Sequence, residues 1–365
     1  MTLKRGHDLP EHSRLDGDVP VVSSSGITGW HKEAKAKAPG VVTGRYGTIG
    51  EVFFLEQDYW PLNTALYVID FKGNDPKFLA YFLRNTLRGY QSEKAAVPGV
   101  DRNVLHEIKV RAPDRTTQLR ICDHLAAYDD LIENNRRRMA LLEESARLLY
   151  QEWFIRLRFP GYEHTRILDG VPEGWDKGFV SDFYDTSSGG TPSRKVPEYF
   201  SGDIPWVKTQ ELSNGFITNT GESITEAALT KSSAKLFPVK TVLIALYGAT
   251  VGELGILAIP AATNQACCAV LPRDARAHYI YAFLFFRENK EKLVGLSAGA
   301  AQRNISQQIV RGVEMIMPNK ALIELFVNSL DPVFDQILTL QQSNQKLRAA
   351  RDLLLPRLMS GEIAV

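Results

Sequence analysis

Apolar and polar positions run through this 365-residue chain in two distinct periods, and each period occurs twice. Short apolar runs broken by Gly, Pro, Asn and Asp come first: VPVVSSSG, GVVTGRYG and TALYVIDF. They predict strands with turn punctuation, and the stretch PKFLAYFLRNTL beyond them predicts a helix. From Thr117 to Phe154 there is neither Gly nor Pro. Apolar residues recur there in steps of four and three: Ile121, Leu125, Tyr128, Ile132, Asn135, Met139, Leu142, Ala146, Leu149 and Trp153. That period predicts a coiled-coil helix rather than a merely amphipathic one. The pattern then returns, with TVLIALYG and QACCAVLP as strands and YIYAFLFFRENKEKL as helix. A second seam runs through Phe326, Leu330, Val333, Ile337, Leu340, Asn344, Leu347, Arg351, Leu354 and Leu358. Arg351 is a flaw in it, and Pro332 is expected to kink or restart the helix after Leu330, with Asp331 as N-cap.

Individual residues repeat as well as patterns. Val19-Pro20 meets Ile204-Pro205, 185 positions on; Asn63 meets Asn264 and Arg102-Asn103 meets Arg303-Asn304, both 201 on. Pro113, Asp130 and Leu148-Leu149 meet Pro318, Asp335 and Leu353-Leu354, all 205 on. The order is preserved and the offset drifts only through loop insertions, so the chain is read as a duplication. Each seam carries one asparagine. If the two helices pack antiparallel with Asn135 opposite Asn344, positions whose numbers sum to 479 face each other, and a buried Asn pair fixes the register. An exposed seam position at each Asn is the alternative. About forty residues at ~1.5 Å each make a rod of roughly 60 Å, which would hold two globular parts a fixed distance apart.

Composition narrows the function classes. The hydrophobic fraction is 44% and the charged fraction 23%, an ordinary soluble globular mix with material for more than one core. No run approaches eighteen apolar residues, and the N-terminus lacks the apolar core of a signal peptide, so the expected compartment is the cytoplasm with no membrane association. Cys122, Cys267 and Cys268 form no C-x-x-C, which argues against a disulfide framework and a zinc site. The net charge of +1 gives no global basic field, but leaves room for a local patch. GRYGTIGEV (Gly44–Val52) and its echo LYGATVGEL (Leu246–Leu254) have neither kinase-loop nor P-loop spacing, and their glycines are read as tight strand connections. No catalytic constellation emerges.

The residues resemble one family. The stretches that carry the likeness are PVVSSSGITGWH (Pro20–His31), VVTGRYGTIGEV (Val41–Val52), WPLNTALYV (Trp60–Val68), LLYQEWFIRLRFPG (Leu148–Gly161), VPEGW (Val171–Trp175) and LLLPRLMSGEI (Leu353–Ile363). They are similar to the DNA specificity (S) subunits of type I restriction-modification systems, across almost the whole chain, and the last stretch is the most specific. The resemblance implies an α+β fold: two duplicated α/β target recognition domains separated by two long antiparallel helices in a coiled coil, with pseudo-twofold symmetry. The expected parts are residues 1–113 for the first recognition domain, 114–158 for the central helix, 159–318 for a linker and the second recognition domain, and 319–360 for the distal helix. The resemblance further implies a non-catalytic subunit that reads a split, asymmetric site in double-stranded DNA. It implies two methyltransferase (M) subunits docked on the helices, and restriction (R) subunits bound through them. S-adenosylmethionine, ATP and magnesium would sit on those partners, with no cofactor or metal in this chain. A repeat-built protein scaffold, or a remnant subunit that reads no DNA, is the alternative. One departure stands out: Trp175 lies thirty residues before Pro205, whereas only nineteen residues precede Pro20. A counterpart of about Trp175–Asp185, an opening strand, is expected to be missing from the first domain, through a start codon placed too late or a truncation.

Base readers should sit in loops and differ between the repeats, because the two half-sites differ. Ser23, Ser24 and Ser25 oppose Lys208, Thr209 and Gln210 and are the first candidates. Arg45 and Tyr46 match Leu246 and Tyr247; the shared tyrosine, Tyr46 and Tyr247, serves either DNA contact or packing. Arg102 and Arg303, in the repeated Arg-Asn element, are candidates for phosphate contact, helix capping or carboxylate pairing. The expected seam comprises Leu125, Ile132, Asn135, Met139, Leu142, Leu149, Ile337, Leu340, Asn344, Leu347 and Leu354.

Overall fold

The computed structural model describes residues 1–45, 50–87, 99–296 and 304–365. The chain forms two compact units, one of residues 1–133 with 344–365, the other of residues 134–343. Each unit therefore takes helix from both halves of the sequence.

In the first unit, strands β1 (Thr2–Arg5), β2 (Val19–Ser23), β3 (Gly26–His31), β4 (Gly40–Gly44), β5 (Val52–Leu55), β6 (Trp60–Pro61) and β7 (Ala65–Asp70) precede helices α1 (Pro76–Leu87) and α2 (Arg102–Glu107). Helix α3 (Arg115–Tyr150) then starts here and ends in the second unit. The main sheet has the order β1-β7-β4-β5, and a smaller one the order β3-β2-β6 with β2 and β6 parallel. Apolar residues of β1, β4, β5 and β7 pack with Ala80, Leu83 and Leu87 of α1 in one cluster.

The second unit opens with β8 (Ile167–Leu168), β9 (Val171–Pro172), β10 (Asp176–Phe179), α4 (Val180–Phe183) and β11 (Tyr184–Ser188). Next come β12 (Ile204–Val207), β13 (Gly215–Ile217), β14 (Ser223–Ile224), α5 (Glu226–Thr230), β15 (Leu236–Phe237), β16 (Val242–Ala245), β17 (Leu254–Leu257), β18 (Ala261–Thr263) and β19 (Cys267–Pro272). Helices α6 (Tyr279–Glu288), α7 (Lys290–Gly295) and α8 (Gln307–Arg311), strand β20 (Glu314–Met317) and the long helix α9 (Lys320–Ser360) complete the chain. The main sheet, β11-β19-β16-β17-β13, repeats the first unit's order with one strand added at its end. The smaller sheet, β14-β12-β18-β15, again has its central pair parallel. Helix α6 is buried on every side because it is wedged between the sheet and the long helices.

The duplication extends to single hydrogen bonds. Arg45 N–H donates to the Thr64 carbonyl, and Leu246 N–H to that of Ala266. The N–H groups of Val100 and Ile305, 205 positions apart, donate back to Arg45 and Leu246, so the fold aligns Asp101 with Ser306, the caps of α2 and α8, and not Arg102-Asn103 with Arg303-Asn304 as the offset of 201 expects. The long helices start at matched caps: Asp114 accepts from Thr117 N–H at 3.1 Å, and Asn319, 205 positions on, accepts from Leu322 N–H at 2.9 Å. Gly50, Gly248 and Gly252 hold positive φ, and the second of the echoed stretches turns through Gly248–Thr250.

The seam pairs antiparallel at both ends. In the first unit Ile121 and Leu125 share a cluster with Leu355 and Leu358, and Arg351 meets Asp129 at 2.5 Å. In the second, the Phe326 ring lies 5.5 Å from Trp153 and 4.7 Å from Phe154. Contacting positions sum to within a few of 479, as the register predicts. Leu125, Ile132, Ile337 and Leu340 are buried, whereas Met139, Leu142, Leu149, Leu347 and Leu354 are half-buried. Asn135 and Asn344 are both buried, and Asn344 donates to the Ile132 carbonyl at 3.3 Å.

Two expectations need correction. Helix α9 runs unbroken through Pro332, and Asp331 lies within it rather than at a cap. Burial of Leu330 and Phe334 on either side offsets the lost backbone bond. Arg351 is no flaw: its partner Asp129 also accepts from Tyr81 Oη at 2.5 Å, so the seam closes on a charge-assisted network. At the first unit's start, β1 is the counterpart of β11, since both line the main sheet through β7 and β19. The element without a counterpart is β10 with α4. In the second unit β10 pairs with β20, whereas the matching residues 109–112 form no strand and Val110 is exposed.

Phe326 is fully buried among three aromatic rings, so Phe326→Ala should destabilise the chain by about 3–5 kcal/mol in denaturant unfolding. A cost below about 1 kcal/mol would show that the seam does not hold the second unit together.

Candidate nucleic-acid interface

The clearest divergence between the units follows β2 and β12. The carbonyls of Val22 and Val207 each accept an N–H from the strand connection beyond β6 or β18, from Leu62 at 2.8 Å and Asn264 at 2.9 Å. The serine trio and Lys208–Gln210 therefore leave the same point of the fold. In the first unit Ser24 and Ser25 form a tight hairpin turn into β3, closed by Gly26 at positive φ. Ser23 is buried and spends its hydroxyl on the turn, bonding Ser25 Oγ at 2.9 Å and the Gly26 carbonyl at 3.3 Å. Ser24 is half-buried and Ser25 exposed. In the second unit the chain instead enters a short 3-10 turn, Thr209–Glu211, with Gln210 exposed.

Lys208 is not an open donor. Its ammonium lies 2.7 Å from Glu222 Oε1, while Arg194 holds Oε2 of the same carboxylate at 2.7 Å. Its backbone N–H donates to Glu211 at 2.8 Å. Arg194 stacks on Phe200 at 4.0 Å and on Trp206 at 5.3 Å. The hydrogen bond from Lys208, and with it that from Arg194, holds the Glu222 carboxyl below the usual glutamate range against the opposing effect of burial. The arrangement presents two oriented cations bridged by one carboxylate, with Thr209 and Gln210 beside them.

The remaining candidates separate. Arg45 and Arg102 are brought near each other by the Val100–Arg45 backbone bond, on a different sheet from the serine turn. Arg102 is exposed and is the first residue of α2, whose cap is Asp101, accepting from Asn103 N–H at 2.8 Å. Tyr247 is exposed and bridges to Asn304. Tyr46 and Arg303 lie outside the described residues.

Sequence reasoning missed Arg194, because it falls in the insert-rich loop between β11 and β12 where no repeat partner marks it. It also missed a cationic and aromatic surface in the first unit. Lys35 Nζ sits 5.0 Å over the Trp60 ring, and Ile27 and Trp30 of β3 are exposed. Burial, then the charges of Lys4 and Lys35, push the His7 ring below the usual histidine range, which marks a locally positive surface. Ile27 and Trp30 are three positions apart, so strand alternation in GITGWH does not mark both as outward; the irregular register of β3 on β2 does. No group of three or more His, Cys, Asp or Glu side chains among the described residues is placed to hold a metal, and all three cysteines are buried. No helix among the described residues is long and apolar enough to cross a membrane.

Comparison with known proteins places this geometry. The family model described as the type I restriction modification DNA specificity domain matches residues 5–144 and 172–349. The specificity subunit of the type I restriction enzyme HindI of Haemophilus influenzae is 25% identical over 386 residues, covering 86% of this chain and 84% of that protein. The MjaIX specificity subunit of Methanocaldococcus jannaschii is 25% identical over 276 residues, covering 73% of this chain and 63% of that protein. A solved type I restriction-modification S subunit from M. genitalium shares the fold, with a TM-score of 0.55 at 14% identity, covering 98% of this chain and 92% of that one.

The Glu222 network gives a pH prediction. A carboxyl depressed in the folded state stabilises the fold above its unfolded value, and that contribution is lost as pH falls through the folded value. In an NMR titration Glu222 should protonate below the ordinary glutamate range, and Lys208→Ala should move it upward. An ordinary titration in the unaltered chain would show that the bridge does not form in solution.

Proposed function

The chain belongs to the type I restriction-modification DNA specificity family, and on that premise we propose that its two units each read one half of a bipartite, asymmetric DNA site. A specificity subunit of a type I restriction-modification system is non-catalytic itself. In the proposed assembly it docks two methyltransferase subunits and, through them, restriction subunits. S-adenosylmethionine, ATP and magnesium would be bound by those partners.

The observation that carries the bipartite reading is the divergence of one loop on a duplicated frame. Strands β2 and β12 match down to their backbone bonds, yet what leaves them is a serine turn in one unit and Lys208-Thr209-Gln210 in the other. Conserved framework with divergent polar loops is what two readers of different half-sites require, because phosphate contacts position a module and base edges specify it. Gln is suited to adenine and Lys to guanine in the major groove. The Glu222 carboxylate would hold Lys208 and Arg194 in orientation until phosphate or base oxygen competes for them.

Partner docking is supported by a second apolar line along α3 and the helical turn Gln151–Ile155 that continues it. Leu141, Leu148 and Ile155 are exposed at 70%, 44% and 54%, seven residues apart, on a face that the seam does not use. Leu353, the repeat counterpart of Leu148, is 69% exposed on α9. Seven-residue spacing of exposed apolar side chains fits a partner helix.

Lys208→Ala together with Gln210→Ala should relax recognition of one half-site by about 1–3 kcal/mol and leave the other untouched, measured by binding of the reconstituted complex to DNAs altered in either half. Equal loss at both halves would refute two independent readers. Leu141→Lys with Leu148→Lys should weaken association with the methyltransferase subunit at least tenfold by analytical ultracentrifugation. Unchanged association would place the docking surface elsewhere.

A further inference from the structure

One side chain of the second unit is fixed more firmly than the loop that carries it. Arg194 and Lys195 form the tip of a turn between β11 and β12, closed by Val196 N–H donating to the Ser193 carbonyl at 3.1 Å. Both residues are exposed, yet the Arg194 guanidinium lies back against an aromatic corner, 4.0 Å from the centre of the Phe200 ring and 5.3 Å from that of Trp206. The two rings meet edge to face at 71°. Nη2 of Arg194 lies 2.7 Å from Glu222 Oε2.

The groups that hold Arg194 are held in turn. Trp206 is buried in β12, and its Nε1 donates to the Gly190 carbonyl at 3.1 Å, at the foot of the same loop. The Glu222 carbonyl accepts from Trp206 N–H at 3.0 Å and from Thr220 Oγ1 at 2.7 Å. Lys208 fixes the other carboxylate oxygen of Glu222 at 2.7 Å. The two cations differ in what they have left to give. The Lys208 side chain is 28% exposed and lies inside this network, whereas that of Arg194 is 55% exposed at its edge. Glu222 is the one ion-pair partner of Arg194 among the described residues. A guanidinium carries five N–H donors in one plane, so most of them remain for a ligand. The first unit has no such corner: Val21, 185 positions earlier, stands where the second unit has Trp206.

We propose that Arg194 reads a guanine in the half-site of the second unit, with Glu222 as its positioning residue. Lys208 then acts through Glu222 rather than on a base. A half-exposed ion pair adds little to stability, so what two rings and a carboxylate on one guanidinium achieve is orientation. Orientation matters little for a phosphate, which a flexible point charge such as the neighbouring Lys195 can meet. It matters for guanine, whose O6 and N7 accept two parallel N–H bonds from a guanidinium in the plane of the base. Fixing that plane in the free protein removes the rotamer entropy that a loose arginine would lose on binding. The inference rests on the reading of this chain as a DNA specificity subunit and names a base and a reader within it.

The test uses the full chain with a type I methyltransferase subunit it associates with. The methylated motif is mapped, and binding of the complex is measured to DNAs with each G·C pair of the motif replaced. Arg194→Lys keeps the charge and loses the planar fork. It should lower the preference for one G·C pair, in one half-site, about tenfold or more, with the other positions and the salt dependence unchanged. Glu222→Ala should relax the same pair, and Glu222→Gln, whose side-chain carbonyl still accepts from Arg194, should relax it less. A preference that survives both Arg194→Lys and Arg194→Ala overturns the proposal. So does a uniform loss of affinity in Arg194→Ala with a shallower salt dependence, which marks a phosphate contact, or a loss in both half-sites, which marks a purely structural role. An unchanged preference in Glu222→Ala removes the positioning role. If the unaltered chain directs no split motif, the specificity-subunit reading fails and the proposal with it; a split motif indifferent to Arg194 overturns the proposal alone.

Discussion

The exchange of helix ends is the constraint on which the rest of the fold depends. Helix α3 begins in one unit and ends in the other, and α9 runs between the same two units in the opposite order. Neither unit closes its core with its own half of the sequence. The first needs Leu355 and Leu358 against Phe78, Phe82, Ile121 and Leu125, and the second needs Ala146, Tyr150 and Phe154 against Phe326 and Phe334. Burial of these side chains, each worth roughly 1.5–3 kcal/mol, favours the antiparallel register over any sliding of one helix along the other. Asn344 and the Asp129–Arg351 pair refine it, since polar groups inside a seam are satisfied in one register alone.

On that shared frame the repeats have diverged where function is proposed and stayed alike where packing demands it. Backbone bonds around Arg45 and Leu246 match, as do the caps Asp114 and Asn319. What differs is the insert after β12: it carries Lys208, Thr209 and Gln210 at its start and β13 further on. One insertion thus supplies both a different polar loop and an extra strand. The same economy leaves the first unit with a short turn and, among the described residues, with β5 at the end of its main sheet.

Much of this was legible in the residues because it rests on period and spacing. The strand stretches, the breaks around α1 and α6, the two seams and the register summing to 479 all follow from side-chain patterns that burial enforces. The exceptions have physical causes. Pro332 reads as a helix stop from local propensity, but Leu330 and Phe334 hold the turn from outside it. Arg351 reads as a flaw because its partner Asp129 lies on the other helix, beyond any local window. Lys208 reads as a free donor because Glu222 lies on the far side of an insertion. The seam shifts from Leu354 towards Leu355 where α9 meets α1 as well as α3, a tertiary contact that no heptad pattern encodes. Arg194 lies in a stretch with no counterpart in the first unit, so no match between the repeats marks it.

The most direct test of the central claim is adenine methylation mapped by long-read sequencing in cells that express this chain with a type I methyltransferase subunit it associates with. Two readers predict a single split motif, two defined half-sites around a spacer of fixed length, absent when the chain is omitted. A motif that is continuous, or methylation that is the same without the chain, would contradict the account.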